Sequence, residues 1–215
     1  MYVSAAKGGV ERSGGQQLCP ALRAKGYGAD ASRLHLAWVA LPEDLVNVAV
    51  QLEPLADSLP VVSYRWDEDT DILTAQIATA VTGEGLSGSV DIEGTDGSWL
   101  VLDVARGRLK GVEVAVWPDV RTRRHLAPPP GIADARIRIP APDSAGVTAL
   151  EVETPLAAEA DDSERVIYFR VGRRREARTV RVASDVLLDL DPQHHIAGLW
   201  LLNVPPSPSP RALAP

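Results

Sequence analysis

From Leu34 to Val204 the apolar residues of this chain recur at every second position, and that period constrains the fold more than any other feature. Side chains along a strand alternate between two faces, so a period of two marks strands with one buried face; a helix needs spacings of three and four. Leu34, Leu36, Trp38 and Ala40 share one parity, as do Val46, Val48, Val50 and Leu52. A helix over 42–59 competes, because Pro42, Glu43 and Asp44 suit a first turn and Leu45, Val48, Leu52, Leu55 and Leu59 keep rough helical spacing. The valines all fall on one parity, which favours strand. Further strands are expected over 61–66, 72–78, 89–93, 99–104 and 109–117, then over 135–139, 147–153, 165–171, 177–183, 186–190 and 196–204. Turn-rich pieces separate them, among them 67–71 (DEDTD), 82–88 (TGEGLSG) and 105–108 (ARGR).

No long segment favours helix, and the expected class is all-β. Residues 1–31 read as a flexible glycine-rich arm, 32–118 as a first β unit and 119–131 as a Pro/Arg-rich linker. Residues 132–205 read as a second β unit and 206–215 as a Pro-rich tail, so both termini are expected to be disordered.

The two units resemble each other. Residues 46–58 match 147–159, residues 67–77 match 161–171, and residues 100–118 match 186–205 with one extra residue in the second turn. Asp103 falls on Asp189 and Gly111 on Gly198. Three collinear blocks point to a tandem duplication. Two small related sheets then gain most by packing about a pseudo-twofold axis, as a sandwich or barrel-like body.

Composition narrows the function. The chain has 215 residues, 45% apolar, with a net charge of −7, which argues against coating nucleic acid. No apolar run is long enough to cross a bilayer, and residues 1–17 lack the apolar stretch of a secretory signal. The single cysteine, Cys19, allows no internal disulfide and no multi-cysteine metal site, so the expected location is the cytoplasm. Arginine far outnumbers lysine, and Ala, Val, Gly and Pro abound, the style of a GC-rich bacterial gene.

The segment Trp66-Asp67-Glu68-Asp69-Thr70-Asp71-Ile72-Leu73 is similar to the opening signature, aromatic-D-x-E-x-D-x-L, of a small bacterial family of unknown function. Its closing signature, L-D-x-x-x-x-G-x-L-x-G-I-E, resembles the run from Leu102 and Asp103 through Gly107, Leu109 and Gly111 to Glu113, one residue shorter in the turn. The likeness covers 61–118. The second copy keeps Asp161, Ile167, Asp189 and Gly198, but Trp200 replaces the glutamate. It implies a short β-rich domain and assigns no activity.

Each motif with chemical meaning has a plainer reading. Gly83-Glu-Gly85-Leu-Ser-Gly88 spells G-x-G-x-x-G, yet a strand pattern follows where a dinucleotide site needs a helix. Asp67, Asp69 and Asp71 open like a calcium loop, but Ile72 and Ala78 stand where that loop needs glycine and glutamate. His194 and His195, adjacent in a strand-like run, point to opposite faces and suit a turn better than one metal. The arginines of 121–124 and 173–175 read as solvated tips. Trp200, Glu113, His194 and Tyr168 are the candidate ligand-binding residues; no metal and no cofactor is expected, and no catalytic set is assembled.

Two functions follow as expectations. One is a non-catalytic binding or protein-interaction module; the other is a cofactor-independent cyclase or isomerase acting on an apolar small molecule in a β-walled pocket. The partner is correspondingly a protein or an apolar small molecule, with no nucleic acid and no membrane, and the chain acts as a monomer or homodimer.

Overall fold

The computed structural model describes residues 48–55, 58–67, 69–142 and 148–208. The expected N-terminal arm, the expected strand over 34–40 with Trp38, Cys19, and residues 209–215 of the tail lie outside the described residues. Within them the chain is all-β, and no helix is long and apolar enough to cross a membrane.

The strands in chain order are β1 (Gln51–Glu53), β2 (Val62–Asp67), β3 (Ile72–Ile77), β4 (Gly88–Glu93), β5 (Trp99–Ala105), β6 (Arg108–Val116) and β7 (Val120–Thr122). They continue as β8 (Ala133–Asp134), β9 (Arg136–Arg138), β10 (Ala149–Glu153), β11 (Leu156–Ala160) and β12 (Val166–Val171). The last three are β13 (Arg178–Ala183), β14 (Val186–Leu190) and β15 (Ile196–Leu202). A six-stranded sheet has the order β10-β4-β5-β6-β3-β2, and a seven-stranded sheet the order β7-β11-β12-β15-β14-β13-β8. A short ribbon of β1 and β9 completes the fold. Both sheets are open, and neither closes into a barrel.

The alternation places the core. On β5, Leu100, Leu102 and Val104 are buried while Trp99, Val101 and Asp103 face outward; on β12, Ile167, Phe169 and Val171 are buried and Tyr168 and Arg170 are turned away. Inward residues of both sheets form one apolar cluster. Phe169, fully buried, meets Trp117 at 5.7 Å between ring centroids, and Trp117 stacks on Trp66 at 5.8 Å. Burying a side chain of that size contributes roughly 1.5–3 kcal/mol.

Five strands of each sheet correspond. The order β2-β3-β6-β5-β4 is repeated by β11-β12-β15-β14-β13. Asp103 pairs with Gly111 across β5 and β6, and Asp189 pairs with Gly198 across β14 and β15. A bulge follows each pair, leaving Lys110 and Ala197 as the extra residues. Outward from the glycines, Gln76 and Ser63 on one side match Arg170 and Ala157, and Ser89 on the other matches Thr179. The second and third sequence blocks therefore occupy equal registers. The first does not: β1 pairs with β9, whereas β10, from the matching block, pairs in parallel with β4. It is β2 that stands where β11 does.

Contacts between the two sheets are reciprocal. Thr154, before β11, donates its N–H to Glu93 O at 3.0 Å, at the end of β4. Ser184, at the end of β13, donates to Pro60 O at 2.8 Å, before β2. Pro60 has no N–H, and there the bond runs the other way. Each block also sends its exit along the other's edge: β7 runs parallel to β11, and Pro205 O accepts the indole N–H of Trp66 on β2 at 2.9 Å. The expected linker is thus not a bare spacer, since its residues 120–122 extend the second sheet.

The turn between β5 and β6 has Arg106 and Gly107 both at positive φ, 49° and 76°, the conformation of a tight type I′ hairpin. The loop before β4 is stitched to it, with Gly107 N–H donating to Leu86 O at 2.7 Å and Ile139 N–H to Gly107 O at 2.9 Å. Leu86 is buried, so the G-x-G-x-x-G run serves packing, and strand β4 follows it directly. Buried Arg108 donates to Ile137 O at 3.0 Å and to Glu53 at 2.7 Å, and Glu53 also pairs with Arg138. Burial opposes ionisation of Glu53, but the two guanidinium groups outweigh it and hold the carboxyl below its ordinary value.

Candidate functional site

The candidate residues fall in three places. Tyr168 and Trp200 are directly paired across β12 and β15 on the outer face of the second sheet, their rings 4.3 Å apart. Gly198 is what lets them close: a methyl there would lie 2.7 Å from the Tyr168 ring and 3.0 Å from Phe169 O. Asp189 Oδ1 accepts Thr179 Oγ1–H at 2.6 Å and Trp200 Nε1–H at 3.2 Å. Burial first, and then the Asp189 carboxylate, push the Tyr168 phenol above its ordinary value. The cluster is a hydrogen-bonded lock centred on Asp189, which is itself 9% exposed.

Glu113 lies on the first sheet at the register position that Trp200 holds on the second. Its neighbours across the sheet are Thr74 and Val101, matching Tyr168 and Leu187. Glu113 and Trp200 are therefore counterparts on different sheets and do not meet.

His194 sits in the β14–β15 turn at positive φ, 63°, with Nε2 3.0 Å from an Arg178 guanidinium nitrogen. An arginine can only donate, so this contact requires Nε2 to be the acceptor. His195 turns to Asp191 instead, at 3.3 Å, and the two rings serve different partners. Asp191 accepts from Gln193 N–H, His195 N–H and Arg175 Nε–H at 3.0, 2.8 and 3.0 Å. Burial raises the cost of its charge; the His195 N–H, the His195 ring and Arg175 outweigh it and hold the carboxyl below its ordinary value. Beside this turn lies an open cleft of about 310 Å³ walled by Glu176, Arg178, Leu190, Asp191, Pro192 and His194. Among the described residues no three His, Cys, Asp or Glu side chains converge as metal ligands do. Asp67 caps the N–H of Asp69 at 3.1 Å, a turn role.

One feature escaped the sequence reading. Trp99 and Val116 are paired across β5 and β6 on the outer face of the first sheet, 36% and 46% exposed. Val116 faces outward because Ala115 is an extra residue: Leu100 pairs with Val114 and Trp99 with Val116, so parity flips and Trp117 turns inward. The residues that the sequence match aligns with this pair, Asp185 and Asn203, lie just beyond β14 and β15 and are joined by a 2.6 Å hydrogen bond. The parity of Trp99 with Val101 and Asp103, opposite to Leu100 and Leu102, was the available signal. Around the apolar pair stand acidic residues: Glu93 is opposite both Trp99 and Glu153, and Asp91 is opposite both Val101 and Glu151. Comparison with protein-family models and with curated proteins finds no match for the chain.

Proposed function

We propose that the chain is a non-catalytic protein-interaction module made of two related β units, and that it docks its partner on the outer face of the first sheet around Trp99 and Val116. The observation that carries this is the exposed Trp99–Val116 pair, paired across β5 and β6 on the outer face, whereas the residues aligned with it in the second half are the polar, hydrogen-bonded Asp185 and Asn203. An exposed tryptophan beside an exposed aliphatic contributes nothing to the core, and such pairs supply the anchors of protein interfaces. The likeness of 61–118 to a bacterial family without assigned activity is in keeping with this reading. Site-specific photo-crosslinking in the native host tests it. A benzophenone side chain at position 116 is expected to give an adduct of defined mass, while position 203 gives none; adducts from neither position, or from 203 alone, contradict it.

The second reading, a cofactor-independent cyclase or isomerase, has the cleft at His194 as its place. About 310 Å³ reaches the lower end of ligand-pocket sizes. The walls of Glu176, Arg178 and Asp191 suit a polar ligand rather than an apolar one.

A further inference from the structure

We infer that the partner docked on the first sheet is a basic polypeptide segment that places an apolar side chain on Trp99 and Val116 and cations on Asp91, Glu93, Glu151 and Glu153. This rests on the docking face proposed above and adds the chemistry of what binds there. The registers put two rows side by side across the sheet. One runs Glu153, Glu93, Trp99, Val116; the other runs Glu151, Asp91, Val101, Glu113. Strands lie about 4.8 Å apart, so each row is about 14 Å long; the first has Glu153 and Glu93 at one end and the apolar pair at the other, and the second has Glu151 and Asp91 at one end and Glu113 at the other. A ligand residue on Trp99 thus has acidic side chains one and two strand spacings away.

The acidic pairs are costly for the fold. Like charges directly opposite each other on neighbouring strands are destabilising, and here two such pairs stand in succession on β4 and β10. Edge protection accounts for part of this, because β10 is an edge strand and Glu151 and Glu153 deter pairing with another chain. It does not account for Asp91 and Glu93, which sit on β4, an interior strand. Across the same face Arg65 stands on β2 at the far edge, opposite Thr74. Glu93 and Glu153 are exposed beside exposed Trp99, so a cationic side chain reaches them without rearrangement of the sheet. Charge complementarity then sets the partner's sign, and the tryptophan supplies the anchor.

Fluorescence anisotropy of the full chain with labelled peptides tests the inference. The probe is an alternating Arg–Leu peptide, compared with Glu–Leu and Arg–Ser peptides of equal length. The Arg–Leu peptide is expected to bind tightest, and to weaken as salt rises from about 0.1 M to about 1 M, which shortens the Debye length from about 10 Å to about 3 Å. Trp99→Ser is expected to weaken it by about thirtyfold, the size of a hot-spot loss. Glu93→Lys with Glu153→Lys is expected to weaken it by about tenfold or more, and the milder Glu93→Gln with Glu153→Gln by less. Equal binding of the Glu–Leu or Arg–Ser peptide, no binding at all, or indifference to these substitutions overturns the inference. The docking face itself is judged separately: a crosslinked peptide at position 116 that proves acidic or neutral removes the basic partner and leaves the face standing, whereas no adduct removes both.

Discussion

The two sheets have the same backbone plan and opposite outer faces. Both carry an Asp–Gly pair followed by a one-residue bulge, and both run the same five-strand order around it. On the second sheet the positions around that pair are Tyr168, Trp200, Leu187 and Thr179, closed over Gly198 and tied to Asp189. On the first they are Thr74, Glu113, Val101 and Ser89, with Asp103 exposed and Trp99 left open. Register is held by inward residues and by the bulge. Outward residues are under no such constraint, so one face has become a lock and the other a surface.

The comparison breaks most visibly at the core. Phe169→Ala is expected to lose about 3–5 kcal/mol in urea unfolding, because a fully buried ring against Trp117 leaves a void between the sheets. Its counterpart on the first sheet is Ala75, so the two sheets contribute unequally to one core, and an undiminished urea midpoint contradicts this packing. Next in size is Asp189→Ala, which leaves the Thr179 hydroxyl and the Trp200 indole without their acceptor at a cost of about 1–3 kcal/mol. The matching Asp103→Ala, at an exposed position, is expected to stay within about 0.5 kcal/mol of wild type. Gly198→Ala is expected to destabilise by about 1–3 kcal/mol through overlap with Tyr168 and Phe169 O. Gly111→Ala, with Asp103 Oδ2 at 3.1 Å as its nearest contact, is expected to cost less.

The smallest effect is the pH dependence of the β14–β15 turn, which has no acidic counterpart in the Arg106–Gly107 turn. The folded carboxyl of Asp191 lies below its unfolded value, so its contribution is present above about pH 4 and is lost as pH falls through the folded value. The stability deficit of Asp191→Asn is accordingly expected to be full above about pH 4 and to shrink as pH falls further into acid. Urea unfolding of both proteins across that range checks the sign.

Much of this was legible in the sequence, and the remainder was hidden for physical reasons. The alternation of Leu100, Leu102 and Val104 marks β5, and the shared Asp and Gly positions mark the two equivalent hairpins. Period two shows which face a residue takes but not which strand lies beside it, so the insertion of β10 next to β4 left no trace. Strand β11, Leu-Ala-Ala-Glu-Ala, is alanine-rich and has little intrinsic strand signal. Residues 120–122 pair only because β11 offers an edge. Tyr168 and Trp200 were both legible as candidates, but their closure over Gly198 depends on which strand neighbours β15. The openness of Trp99 was readable from parity, whereas that of Val116 required the bulge at Ala115.

Replacing the exposed apolar pair by polar residues gives the most direct test. In the double variant Trp99→Ser with Val116→Asn, two exposed positions outside the apolar core predict a folded protein whose unfolding free energy lies within about 1 kcal/mol of wild type. The same variant should lose the crosslinked adduct, read from a benzophenone placed at position 101. Retention of the adduct, or collapse of the fold, contradicts a first sheet whose outer face serves binding rather than stability.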